Sequence, residues 1–287
     1  MKQLITLFLL IFLVSPAFAK APVWEVTKGD DLLYLGGTIH LLSKDDYPLP
    51  PAFETAYNKS DDLVFETDIS ALSSLEAQGK ILSAMMYQGD QTLSTVLDPE
   101  VYSQMEEMLG AKGMPMAVFE RFTPAGVMLA LTQLELQSLG LVGADGVDAH
   151  FGKRGTEDNK ESIFLESLDE QINFIQSMND LEANLVVKSG INDISKLKGL
   201  WEDLLAAWRS GNIDELEELG IKEMERDFPS LYETIIVKRN NDWFTEIESM
   251  ILTEDKEFIL VGALHMAGDD GLVKRLRAAG YNVKQLD

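Results

Sequence analysis

The sequence predicts an α/β fold: a mixed central sheet with flanking helices and one large helical insertion. Three observations predict it. Short apolar, strand-like runs recur between residues 23 and 286, stretches of helical periodicity separate them, and no linker or composition break interrupts residues 20–287. Strands alternating with helices build sheets covered by helices, and an unbroken composition points to a single domain over 20–287.

Residues 23–38, VWEVTKGDDLLYLGGT, hold two strand-like runs joined by Lys28-Gly29-Asp30-Asp31, a hairpin signal. Residues 48–58 fit a short helix, and 61–70 read as a strand whose Leu63-Val64-Phe65 ends on Glu66 and Asp68. From 72 to about 140 the pattern is helical, and this is the expected insertion. Within it Asp98-Pro99 and Thr123-Pro124 each place a capping side chain before Pro at the first helical position. A helix is expected from Gly146 through Lys153, then a strand over 162–167. Helices follow over 169–187, 193–210, 213–228 and 230–252. The chain closes with a strand over 257–264, a helix over 271–279 ended by Gly280, and a short strand over 281–286.

The first residues read as a secretory leader. Met1-Lys2 is positive, residues 4–14 are apolar, and Ala17-Phe18-Ala19 matches a small-x-small cleavage site after Ala19. The run is too short for a lasting membrane anchor, so an exported protein of the bacterial periplasm without stable membrane insertion is expected. The absence of cysteine excludes a thiolate nucleophile, a haem-attachment motif and a cysteine zinc site. With 24 basic against 48 acidic residues the net charge is −24, a field that repels polyanions and argues against nucleic acid as a partner.

Two of the three histidines share one local frame, "GGTIH" ending at His40 and "VGALH" ending at His265. In each, an apolar strand reaches glycine and the histidine follows three residues on, where the chain leaves the sheet. Ligands of α/β folds collect at that edge. Two such strands side by side would bring both imidazoles to one metal site; the competing reading is a pair of core or surface histidines in similar loops. Without cysteine, further ligands must be carboxylate, histidine or water. Glu66 and Asp68 stand at one strand end and Glu166 at another, while Asp148 and His150 precede a helix. Each acid has the alternative of capping a helix. Glu66 fits either a metal ligand or the general base for a metal-activated water. The methionines and aromatics of the insertion (Tyr87, Phe119 and Phe122 among them) read as core filling, or as the lining of a peptide groove.

Taken together, "GGTIH", "LVFETD", "GVDAHF", "FLESLDEQ", "AWRSGN", "VKRNNDW" and "VGALHMAGDDG" resemble the TraB/GumN family, which includes the Tiki-type proteases, from about Trp24 to Leu286. The resemblance implies a fold related to the erythromycin esterase and ChaN-like proteins. It also implies a divalent metal (manganese or cobalt, with zinc an alternative) and a peptide or protein substrate. It assigns His40, His265, Glu66 and Asp148 to the metal, and Glu66, Arg239 and Asn240 to catalysis. Arg239 and Asn240 would hold a carbonyl oxygen as charge develops, or else pair with surface acids. Three classes of function remain: a metal-dependent hydrolase, a haem- or metal-binding envelope protein without catalysis, and an envelope assembly factor.

Overall fold

The computed structural model describes residues 20–287; the expected leader lies outside the described residues. Six strands form one mixed sheet in the order β4-β3-β5-β2-β1-β6. β1 (Val23–Lys28) and β2 (Asp31–Thr38) form the expected hairpin, turning at Gly29 with φ +66°. β3 (Asp62–Phe65), β4 (Ser162–Phe164) and β5 (Glu257–Gly262) run parallel to β2, and β6 (Asn282–Gln285) pairs antiparallel with β1. The α/β reading therefore holds, with β1 the one strand that runs against the rest.

The three inner parallel strands, β2, β3 and β5, are buried on both faces, which is why they read as continuous apolar runs rather than alternating ones. On one face, Tyr34, Phe65, Phe258 and Leu260 pack against Phe53 of α1 (Pro51–Lys59) and, from elements further along the chain, Phe151 and Trp208. On the other, Leu33, Leu35, Val64, Ile259 and Val261 pack against Trp243, Ile247 and Leu276. After β3 come α2 (Ile69–Leu72), α3 (Leu75–Ala84), α4 (Leu93–Val96), α5 (Pro99–Ala111) and α6 (Pro124–Ser138). α7 (Val147–Asp158) precedes β4, and α8 (Leu168–Ser177) follows it. Thr123 caps α6 by accepting the Gly126 N–H, with Pro124 in the first turn as its sequence indicates. The helical segment has its own apolar core, containing Leu93, Val101, Met105, Leu109, Phe119, Val127 and Met128. Met105, Met116, Met128 and Phe119 thus fill a core rather than line a groove.

Two expected boundaries are corrected. Asp68 does not continue β3; its carboxylate caps α2 by accepting the Ser70 and Ala71 N–H groups. The helices expected over 169–187 and 193–210 break elsewhere, because α9 (Ala183–Arg209) runs unbroken through Gly190. Glycine serves there as a point of close approach: a side chain at 190 would overlap that of Met128, down to its Cβ 3.3 Å away. Beyond α9 lie α10 (Ile213–Gly220), α11 (Lys222–Asp227) and α12 (Pro229–Tyr232). A π-helical turn (Glu233–Lys238) leads into α13 (Arg239–Met250), and α14 (Leu272–Ala278) precedes β6.

Two glycines of α9 separate packing from propensity. Gly190→Leu overpacks the contact with Met128 and is expected to destabilise the fold by ~1–3 kcal/mol. Gly199→Ala, with nothing within 4 Å, should stabilise it by ~0.5–1 kcal/mol through helix propensity alone. Urea unfolding of the two variants beside the parent checks both signs.

Candidate active site

β2, β5, β3 and β4 end level with one another, since Thr38 pairs with Gly262, Phe65 with Leu260 and Phe65 with Phe164. Just beyond those ends the chain places His40, His265, Glu66 and Glu166. His265 sits in a 3₁₀ turn (Ala263–Met266) and is buried, whereas the His40 side chain is 58% exposed. The two matching motifs thus deliver one histidine to the floor of the site and one to its rim.

Each imidazole is held from behind through Nδ1. His40 Nδ1 donates to Asp148 Oδ2 at 2.8 Å, and Asp148 Oδ1 accepts from Thr38 Oγ1 at 2.9 Å. His265 Nδ1 lies 2.7 Å from Asn240 Oδ1. The Asn240 amide donates to the carbonyls of His265 at 3.2 Å and Asp270 at 2.9 Å, so its oxygen must face the ring. His265 therefore carries its hydrogen on Nδ1 and keeps a lone pair on Nε2.

Arg239 joins the carboxylates. Its Nη2 donates to Glu66 Oε2 at 2.5 Å and to Glu166 Oε2 at 2.9 Å, its Nε to Glu166 Oε1 at 2.7 Å, and its Nη1 lies 3.2 Å from His265 Nε2. Glu166 also accepts from Gln171. The guanidinium lies 4.6 Å from the Trp243 ring centroid and 4.9 Å from that of Phe174, a cation–π setting for a buried charge. The remaining Glu66 oxygen, Oε1, accepts the Gly262 N–H at 2.6 Å and stands 3.8 Å from His40 Nε2.

Gly262 is where these groups converge. A Cβ there would meet Glu66 Oε1 at 3.2 Å, His40 Nε2 at 3.5 Å and the His265 ring at 3.6 Å. Any side chain at 262 would fill the space the three groups share. That space opens into a cavity of about 870 Å³ whose walls include Ile69, Leu72, Asp148, Phe164 and Gln171.

The environments drive the four titratable groups apart. Asp148 beside His40 raises the imidazole to about 9, although solvent over much of the ring screens the pairing. Burial alone would raise Glu66, but Arg239, then His40, hold it down to about 2. Burial raises Glu166, with Arg239 opposing. Burial lowers His265 to about 3, which keeps it neutral.

His40, Glu66, Asp148, Arg239, Asn240 and His265 are thus brought to one strand-end cluster. Their positions revise two expected roles. Both hydrogens of the buried Asn240 amide are engaged by main-chain carbonyls, so it positions His265 and has none to offer a substrate oxygen. Asp148 grips His40 on the Nδ1 side, away from the Nε2 that faces Glu66. His150 lies apart, its ring 5.2 Å from Tyr47 and 4.9 Å from Phe151. Sequence reasoning missed Thr38, Gln171, Phe174 and Trp243. Trp243 had a signal, standing four residues after Arg239 on one helix face.

The donor types fit a divalent cation: two histidines anchored through Nδ1, with Nε2 as the remaining nitrogen of each, and an ionised carboxylate oxygen. Among the described residues no group of three or more His, Asp or Glu side chains stands placed to hold a metal ion as it is. His265 Nε2 faces Arg239, and that contact must yield before the nitrogen can ligate.

Two predictions follow from the charges. Arg239→Met leaves Glu66 and Glu166 facing each other in a buried site, and urea unfolding should show a loss of ~3–5 kcal/mol. For chelator-treated protein, stability should fall on both sides of neutrality. The folded pKa of His40 is raised, so its contribution is full below 6.5 and lost as pH rises through about 9. The folded pKa of His265 is lowered, so stability falls as pH drops from 6.5 towards 3; Glu66 adds to that loss between 4.5 and about 2. Urea midpoints at pH 4, 7 and 9.5 test this, and His40→Gln should remove the alkaline limb alone.

The chain is 23% identical over 269 residues to a protein of Escherichia coli K12 named "Uncharacterized protein YbaP", covering 89% of this chain and 92% of that one. The Shigella flexneri protein of the same name matches to the same extent, 23% over 269 residues. No solved structure matches. The sequence model of the TraB/PrgY/gumN family matches residues 22–285, and the chain belongs to that family.

Proposed function

We propose that the protein is a metal-dependent hydrolase acting on peptide bonds. One observation carries the reading: His40 Nε2, Glu66 Oε1 and the His265 ring converge on the open face of Gly262, with each imidazole anchored from behind, at the mouth of a cavity of about 870 Å³. A cavity of that size lies in the ~300–1,000 Å³ range of ligand sites.

His40, His265 and Glu66 are the residues that would hold the ion: manganese or cobalt by family, or zinc. A divalent ion bound there would polarise a substrate carbonyl and lower the pKa of a bound water. The chain's own groups do the rest. Glu66 stays ionised at neutral pH, as a carboxylate ligand must. Arg239 fixes the Glu66 carboxylate, Asn240 fixes His265, and Asp148 orients His40 rather than ligating. Ile69, Leu72 and Phe164 give the cavity an apolar wall against which a peptide can lie. The charge of −24 opposes nucleic acid as a partner. No helix of the described residues is long and apolar enough to cross a membrane. An exported, periplasmic setting rests on the leader at residues 1–19.

Metal analysis of untagged protein tests the reading first. The parent, supplied with manganese, cobalt or zinc, should bind near-stoichiometric metal. His40→Ala and His265→Ala should bind none, with unchanged far-ultraviolet circular dichroism. Asp148→Ala should weaken metal binding by only ~10–100-fold, as expected of an orienting group. A parent that binds none of the three ions overturns the proposal. A Soret band that appears with haemin and vanishes in His40→Ala would replace it with a haem-binding role.

A further inference from the structure

A second cavity, of about 280 Å³, lies beside the first between α3, α8 and the π-helical turn. Its walls are Leu72, Ile81, Ile172, Phe174, Ile175, Met178 and Ile235, with Gln171 and Arg239 the two polar residues among them. The setting follows from the sequence. In α8, Ile172 and Ile175 stand three apart and present one apolar face. In the π turn, Ile236 is buried in the protein while its neighbour Ile235 faces the cavity. α3 is held against α8 by Lys80–Asp169 at 3.0 Å, and its last carbonyl, of Ala84, accepts from Asn179 at 3.0 Å.

Three features connect this cavity to the site. Leu72 and Gln171 line both cavities, so the two adjoin. Arg239, which borders the smaller cavity, is bonded to Glu66 in the larger one. The smaller volume falls below the ~300–1,000 Å³ of whole-ligand sites, so it suits one side chain rather than a whole molecule. The guanidinium at its base is already neutralised by Glu66 and Glu166, so no anion is needed there.

We propose that this cavity is the specificity pocket of the site, taking the side chain of one large apolar residue (Leu, Ile, Met or Phe) of an extended peptide lying across Glu66. The inference rests on the hydrolase reading and deepens it by naming the substrate class: a peptide with a large aliphatic or aromatic residue next to the bond that is cut. Ile81 and Ile175 set the size of the pocket. Neither lines the larger cavity, so changing them alters selection without removing a member of the reactive cluster.

The test is cleavage profiling of a randomised octapeptide library by metal-loaded parent, Ile175→Trp and Ile81→Ala, each checked for metal content and circular dichroism. The parent should prefer a large apolar residue at one fixed position beside the cut. Filling the pocket with Ile175→Trp should lower the kcat/KM ratio of Leu over Ala at that position by at least about tenfold. Enlarging it with Ile81→Ala should raise the ratio of Trp over Leu. Cleavage without an apolar preference, or with one that both variants keep, overturns the pocket and leaves the hydrolase reading standing. Absence of any cleavage by metal-loaded parent overturns that reading, and the inference falls with it.

Discussion

The site depends on one buried cation. Arg239 holds two carboxylates that arrive from different strands, Glu66 after β3 and Glu166 after β4, and a third element, α13, supplies the guanidinium. Two carboxylates this close in a dry setting would push one another towards the protonated form. The single positive charge lets Glu66 remain ionised and leaves Glu166 as the group whose proton affinity rises. Trp243 and Phe174 flank the guanidinium, so the charge gains ring faces as well as carboxylates in place of water. The approach of β3, β4 and α13 is thereby tied to the ionisation state of Glu66.

The two Gly-x-x-His motifs give different histidines because their second partners differ. His40 meets a carboxylate at Nδ1 and water over much of its side chain, and it is driven towards the imidazolium. His265 meets an amide oxygen at Nδ1 and apolar surroundings, including the Trp243 ring 4.5 Å away, and it stays neutral. The repeat in sequence is therefore not a repeat in surroundings.

Much of this was legible beforehand, and for physical reasons. Strands buried on both faces leave apolar runs such as FILVG, and Pro after a capping residue marks helix starts, so β5 and α6 read directly. The histidine frames were legible because glycine is needed where backbone and side chains crowd, at Gly262 above all. What could not be read was long-range. Nothing local says that Arg239 pairs with Glu166, 73 residues earlier, or that Asn240 is fixed by the carbonyls of His265 and Asp270. The gap expected between residues 187 and 193 contains Gly190, and only the approach of Met128 shows what a glycine does inside a continuous helix. Asp68 looked like a site acid because a cap and a ligand use the same residue type at the same kind of strand end.

α9 links the parts that sequence reading held separate. Its first half carries Val187 and Ile194 into the apolar core of the helical segment. Its last turn carries Trp208 under the sheet, where the indole N–H donates to the Gly37 carbonyl at 2.7 Å, three residues before His40. A single helix thus touches both the helical segment and the strand that delivers the rim histidine. Gly190 lets α6 lie close to the first half, and Trp208 fixes the second. The rim of the site is coupled to the helices, while its floor is held by buried charge.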